Sequence, residues 1–319
     1  MRAIVVSTPG GPEALQEREV PTPAPGPGEL LVDVAAAGVN FIDIYHRMGR
    51  YPLPTPFTPG TEGAGIVEAV GEGVTEVSPG ARVAWAGPLG AYAEKAVVPA
   101  SQAVAVPEGV DLDVAAAVML QGMTAHYLSH STHQIRPGDT ILIHAGAGGM
   151  GQLLTQMAKL RGARVITTVS TDDKERLSRE AGADEVLRYE GFADAVRALT
   201  GSGVDVVYDG VGAATFDGSL ASLRPRGLLA LYGQASGPVP PVDPQVLNAG
   251  GSLFLTRPTL VHYVATREEL VSRAADLFTW LASGDLKVNI FQRHPLADAR
   301  RAHEDLEARR TTGKSLLIP

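Results

Sequence analysis

The sequence predicts an α/β protein in two parts: a β-rich, turn-rich first third, and a doubly wound parallel sheet beyond it. Three observations lead there. Short apolar runs in the first hundred residues are separated by Pro and Gly clusters. From about residue 140, strand-like and helix-like segments alternate. The run Gly146-Ala147-Gly148-Gly149-Met150-Gly151 stands between an apolar strand and a helical pattern. A length of 319 residues suits about two domains at roughly 100–200 residues each.

Residues 3–6, 29–34, 65–70, 82–84 and 91–97 read as strands. Pro9-Gly10-Gly11, Pro25-Gly26-Pro27-Gly28, Pro79-Gly80 and Gly87-Pro88 punctuate them, a pattern of barrel-like or irregular β structure. Near residue 111 the period changes. Segments 111–120 and 124–133 read as helices, with Asp111 or Asp113 as a cap. Strands at 140–144, 164–169, 185–187, 204–208 and 228–232 then alternate with helices at 152–160, 172–181 and 192–200. This is the pattern of a parallel sheet with helices on its faces. A short apolar strand follows the glycine pair at 250–251, and helices are expected at 267–282 and 296–309.

Composition excludes several functions. The chain has 27 basic and 35 acidic residues, a net charge of −8, which argues against nucleic acid, whose phosphates need clustered Lys and Arg. Cysteine is absent, so disulfides, Cys-zinc sites, iron–sulfur clusters and thiol nucleophiles are excluded. No stretch approaches the roughly 20 apolar residues of a membrane helix, and the apolar run at the start is too short for a signal peptide. A cytoplasmic protein is expected. There is no G-x-S-x-G elbow. Gly313-Lys314-Ser315 lacks the upstream glycine of a phosphate loop, since Ala308 stands there.

The glycine run is G-x-G-x-x-G. Gly146 makes the tight turn, Gly148 lets a pyrophosphate approach the backbone, and Gly151 lets the helix pack against the strand. The N–H groups at the helix start then face the phosphates. About 20 residues on, where an NAD site places Asp or Glu, the chain has Val169-Ser170-Thr171 with Lys174 beyond. A missing carboxylate and a nearby cation favour a 2′-phosphate, although Asp172 and Asp173 lie close. His126, His130 and His133 share a helical spacing, but one helix rarely supplies three tetrahedral ligands, and a solvated or interface face is expected instead.

Gly38-Val39-Asn40-Phe41-Ile42-Asp43, Pro59-Gly60-Thr61-Glu62-Gly63-Ala64-Gly65, the run 144–151, Thr256-Arg257-Pro258 and the ending Ser315-Leu316-Leu317-Ile318-Pro319 together resemble the zinc-free branch of the medium-chain dehydrogenase/reductase superfamily. More narrowly, the chain resembles the zeta-crystallin-like NADPH:quinone oxidoreductases. The resemblance implies a GroES-like catalytic domain at 1–118, completed by 262–319, and a Rossmann NADPH-binding domain at 119–261, with the ligands held in a cleft. Zinc-dependent members carry Cys where Asn40 stands and His where Thr61 stands, so the resemblance implies that no metal is held. It implies Asn40 near the nicotinamide, with Tyr45 and Tyr51 lining the substrate mouth. Their phenols would hydrogen-bond a quinone oxygen or serve as packing residues. Thr124 would face the cofactor, as would Gly146, Gly148, Gly149, Met150 and Gly151. Ser170, Lys174, Tyr189 and Arg309 would surround the 2′-phosphate. Gly212, Gly233, Gln234 and Arg257 complete the cofactor set. The expected activity is quinone reduction by NADPH. An enoyl or alkenal reductase and a non-enzymatic NADPH-binding protein are the rivals. A homodimer is expected through the edge strand at 251–256.

Overall fold

Pro- and Gly-rich turns break the first 105 residues into seven strands. These are β1 (Arg2–Val5), β2 (Gln16–Glu19), β3 (Glu29–Gly38), β4 (Glu62–Val70), β5 (Arg82–Ala86), β6 (Lys95–Pro99) and β7 (Ala103–Ala105), with helix α1 (Phe41–Arg47) between β3 and β4 and helix α2 (Leu112–Tyr127) after β7. This computed structural model describes all 319 residues. The chain forms two compact units, one of Met1–Met123 with Val264–Pro319 and one of Thr124–Tyr263.

The segments expected as two helices at 111–120 and 124–133 are one helix, α2, followed by a wide turn at Leu128–Thr132. Inside that helix Gly122 is required by packing. A Cβ on Gly122 would lie 2.8 Å from Val118 Cγ2 and 3.1 Å from Leu277 Cδ1. The strand expected at 91–97 begins only at Lys95. Ahead of it, the Ala91 and Tyr92 N–H groups donate to Gly60 and Pro59 carbonyls, each at 3.1 Å.

The second unit contains strands β8 (Thr140–Ile143), β9 (Arg164–Val169), β10 (Glu185–Arg188), β11 (Val204–Asp209), β12 (Leu223–Leu231) and β13 (Phe254–Thr256). Helices α3 (Gly149–Leu160), α4 (Asp172–Glu180), α5 (Phe192–Thr200), α6 (Phe216–Ala221) and α7 (Gln245–Ala249) connect them. All strand pairs are parallel, in the order β10-β9-β8-β11-β12-β13. This is the doubly wound Rossmann order, with its switch point between β8 and β11. Burial on both faces explains the apolar runs at 141–143 in β8 and 206–208 in β11. Leu142, Ile166, Val207 and Leu229 form the core with Phe192 and Phe216.

The chain then returns to the first unit with α8 (Arg267–Ser283), β14 (Ile290–Pro295), α9 (Ala299–Glu307) and β15 (Lys314–Ile318). The helix expected at 296–309 is a short turn, Leu296–Asp298, followed by α9. Strand β15 pairs with β14 and β3, giving a sheet ordered β14-β15-β3-β4-β5-β7, with β6 on β3. The GroES-like β unit is therefore closed by the last residues of the chain. Its core holds Leu30, Val32, Val83, Trp85, Tyr92 and Leu317.

Candidate active site

In the second unit, Gly146 to Gly151 form the turn from β8 into α3, and the glycines are dictated by contact. A Cβ on Gly146 would lie 2.5 Å from Ser178 Oγ, and one on Gly151 would collide with Ala145 O. Helix α3 has no side-chain cap and no acid in its first turn, so the positive end of its dipole is left for an anion. Helix α4 differs: Thr171 caps it, and Asp172, Asp173 and Glu175 occupy its first turn. Tyr189, just after β10, reaches back to the loop, its hydroxyl accepting the Ala145 N–H at 3.1 Å. Ser170 follows β9, and Lys174 Nζ donates to its hydroxyl at 3.4 Å. The loop, Ser170, Lys174 and Tyr189 thus gather at the carboxyl ends of β8, β9 and β10.

Gly212, Gly233, Gln234 and Arg257 gather at the carboxyl ends of β11, β12 and β13. Gly212 has φ 90°, and a Cβ on Gly233 would lie 2.5 Å from Gly210 O. Gly233, Gln234 and Arg257 line a cavity of about 280 Å³ with apolar walls that include Phe216, Leu231 and Leu255. Asp209, at the end of β11, serves the turn. It accepts the N–H groups of Val211 and Gly212 and the hydroxyls of Thr215 and Ser219 at 2.7–3.0 Å. Beside it, His144 is buried between the Thr168 and Ser219 hydroxyls, at 2.8 and 2.9 Å. Burial lowers its pKa to about 4. Thr124 is half-buried on α2. Arg309 lies in the other unit, exposed just past α9 with φ 58°.

In the first unit, α1 collects Asn40, Tyr45 and Tyr51. Asn40 is the residue before the helix, and its N–H donates to Asp43 Oδ2 at 2.9 Å, half of a capping box. The Tyr45 and Tyr51 rings meet edge to face at 5.5 Å, Tyr45 buried and Tyr51 38% exposed. The Arg50 guanidinium lies 5.8 Å from the Tyr45 ring.

The Asn40 side chain is the centre of a buried ionic cluster. Its Nδ2 donates to Glu62 Oε2 at 2.8 Å, and its Oδ1 accepts from Lys314 Nζ at 2.7 Å and from Gln121 Nε2 at 3.3 Å. Lys314 also pairs with Glu62, both side chains being at most 1% exposed. The other Glu62 oxygen accepts the Leu120 N–H of α2 at 2.6 Å. Gly38 makes room for the pair: a Cβ there would lie 2.8 Å from Lys314 Cε and collide with Glu62. Beside it, Asp43 accepts the Thr61 hydroxyl at 3.1 Å and the Tyr92 hydroxyl at 3.0 Å. Burial raises the Asp43 pKa to about 6, against the pull of the Asn40 N–H and the Lys314 charge. Tyr92 bridges to His303 Nε2 at 3.1 Å, and His303 Nδ1 lies 3.3 Å from Arg47, which pairs with Glu307 at 2.9 Å. Arg47 only donates, so His303 Nδ1 accepts and its proton sits on Nε2. Burial and the Arg47 charge hold the His303 pKa down at about 3.

Sequence reading passed over Lys314, Asp43, Tyr92, Arg47 and His303 as functional positions. Lys314 did carry a signal: a cation next to Leu316-Leu317-Ile318 is buried only if paired. His126 and His130 stack at 4.3 Å, while His133 is beyond α2 and bonds Asp139 at 3.0 Å. No group of three or more His, Asp or Glu side chains is placed to hold a metal ion.

Residues 26–108 match the alcohol dehydrogenase GroES-like domain, and 149–280 the zinc-binding dehydrogenase domain. A quinone oxidoreductase of Pseudomonas aeruginosa is 49% identical over 315 residues, covering 97% of each chain. A 2-haloacrylate reductase of a Burkholderia species is 43% identical, covering 99% of this chain and 98% of its own. The crystal structure of Escherichia coli quinone oxidoreductase complexed with NADPH superposes with a TM-score of 0.98, at 44% identity and full coverage of both chains.

Proposed function

On the premise that the chain belongs to the quinone oxidoreductase family of medium-chain dehydrogenases/reductases, we propose that it reduces quinones with NADPH and without a metal. The observation that carries the reading is the glycine loop at the switch point of the parallel sheet, where a dinucleotide pyrophosphate meets the uncapped start of α3. Gly146, Gly148, Gly149, Met150 and Gly151 would hold the pyrophosphate, with Thr124, Gly212, Gly233, Gln234 and Arg257 along the rest of the cofactor. When bound, the cofactor supplies the hydride.

Ser170, Lys174, Tyr189 and Arg309 would take the 2′-phosphate. The acids of α4 do not stand alone against it, since Arg188 pairs with Asp172 and, at 3.0 Å, with Glu175. Tyr45 and Tyr51 would orient the substrate and donate hydrogen bonds to a quinone oxygen as it gains charge. Asn40, its amide engaged on both atoms, would form the rigid floor beneath them.

Zinc does not fit the donor set. Asn40 and Thr61 are already hydrogen-bonded, Glu62 is ion-paired, and the cation among them is Lys314. The edge strand β13 supports a homodimer. Only one side of it is paired, and Phe254 is 61% exposed, which at an unprotected edge invites association. No helix is long and apolar enough to cross a membrane, and a reductase fed by NADPH belongs in the cytoplasm.

The 43% identical 2-haloacrylate reductase supports a second reading, reduction of an activated alkene, in which a tyrosine would have to protonate carbon. Steady-state NADPH oxidation against a quinone panel and an enone and 2-haloacrylate panel separates the two. Turnover of quinones with poor enone rates is expected, and the reverse order would replace the first reading by the second.

A further inference from the structure

His144 links the two turns that flank the switch point of the parallel sheet. Backbone pairing of β8 with β11 reaches the His144 N–H, which donates to the Tyr208 carbonyl at 3.2 Å. Past it, β8 runs into the glycine turn and β11 into the turn at Asp209–Gly212. Side-chain hydrogen bonds join the two turns there. Thr168, His144, Ser219 and Asp209 are all fully buried, and they come from β9, the residue after β8, α6 and β11.

The direction of this series is fixed by its acceptor end. Asp209 takes the Thr215 and Ser219 hydroxyls on Oδ2, and the Val211 and Gly212 N–H groups on Oδ1. Ser219 has one hydroxyl proton, and Asp209 receives it. The Ser219 oxygen therefore accepts from His144 Nε2 at 2.9 Å. Burial, which lowers the His144 pKa to about 4, keeps the ring neutral near pH 7. Nδ1 then accepts from the Thr168 hydroxyl at 2.8 Å. The Thr168 carbonyl accepts the Gly146 N–H of the glycine turn at 3.0 Å. Gly146 is thus tied to Gly212 through buried side chains of four elements.

We propose that His144 is a positioning residue for the cofactor: it fixes the glycine turn relative to the Gly212 turn, so that both meet one dinucleotide. The inference rests on the NADPH reading above. Apolar side chains could fill the same space for the fold alone. A buried polar network with every member satisfied instead selects one arrangement of the parts it joins. His144 acts through Thr168 on one side and through Ser219 and Asp209 on the other, without touching the cofactor itself.

The test uses equilibrium binding rather than turnover. The probes are NADP⁺ and adenosine 2′-monophosphate, which has neither pyrophosphate nor nicotinamide. Dissociation constants are read by calorimetry on the wild type, His144→Leu, Ser219→Ala and the double variant. Each single variant should weaken NADP⁺ binding by roughly 3- to 10-fold, the worth of one neutral hydrogen bond. The constant for adenosine 2′-monophosphate should stay unchanged, which also reports that the variant is folded. The double variant should lose no more than the larger single loss, because both changes cut the same series of bonds. Equal losses for the two probes would overturn the assignment and leave His144 to the fold. Unchanged NADP⁺ binding would overturn it too, and so would additive losses in the double variant. A wild type that binds neither probe would instead overturn the NADPH reading on which the assignment stands.

Discussion

Replacing Lys314 by Met removes the only cation that touches Glu62 and one of the two donors to Asn40 Oδ1. Methionine has nearly the length of lysine and fills the same space, so the loss is electrostatic rather than a cavity. The stranded Glu62 carboxylate is fully buried. Its remaining partners are the Leu120 N–H and the Asn40 amide. Breaking a buried ion pair at one end costs about 3–5 kcal/mol. Asp43 also loses a charge that favours its ionised form, which adds to the loss at neutral pH. The assay is urea unfolding at pH 7 of the wild type, Lys314→Met, Glu62→Gln and the double variant. The single Lys314 variant should lose about 3–5 kcal/mol, and the double variant, which removes the Glu62 charge together with its partner, should recover the Glu62 share of it. A Lys314 single variant within about 1 kcal/mol of wild type would mean that Glu62 is solvated or neutral and that the pair does not hold the fold.

Lys174→Ala should weaken NADPH binding by about tenfold and leave NADH nearly unchanged. That is the low end for a hydrogen bond to a charged group, because the lysine is only half-buried; equal losses for both cofactors would assign Lys174 to the fold. Phe254→Asp should turn a dimer into a monomer by light scattering at micromolar concentration, and a wild type that is already monomeric would remove the edge-strand interface. His303, held at about 3 when folded, contributes stability that is present above its unfolded value of roughly 6.5 and lost as pH falls through that window. The loss at pH 5 should be about 2 kcal/mol, and His303→Gln should remove it. Asp43 works in the opposite direction: its folded pKa of about 6 makes its stabilising effect largest in acid and lost as pH rises through 6.

Much of the second unit was legible from local signals. The apolar run at 140–144 and the glycine spacing placed β8, the turn and α3, because Gly146 and Gly151 meet contacts that a Cβ would not survive. The first unit was less legible. Strand β15 closes its sheet through pairing with β3, a contact across most of the chain, and five residues at a terminus carry no turn signal that announces it. The continuity of α2 through Gly122 was not legible for the same reason, since its neighbour Leu277 lies far off in sequence. The site divided along the same line. Asn40, Tyr45 and Tyr51, which lie close together in the chain, are proposed on the family resemblance. Lys314, Tyr92 and His303 come from β15, the approach to β6, and α9, and only the fold brings them to Asp43 and Glu62.

We propose that this chain positions NADPH to pass hydride to a quinone without a metal. It is tested most directly by following NADPH oxidation with a quinone after exhaustive chelation, with the metal content of the same sample determined by elemental analysis. Undiminished turnover, a preference for NADPH over NADH, and no stoichiometric zinc are expected. Activity that disappears on chelation and returns with one zinc per chain would contradict it.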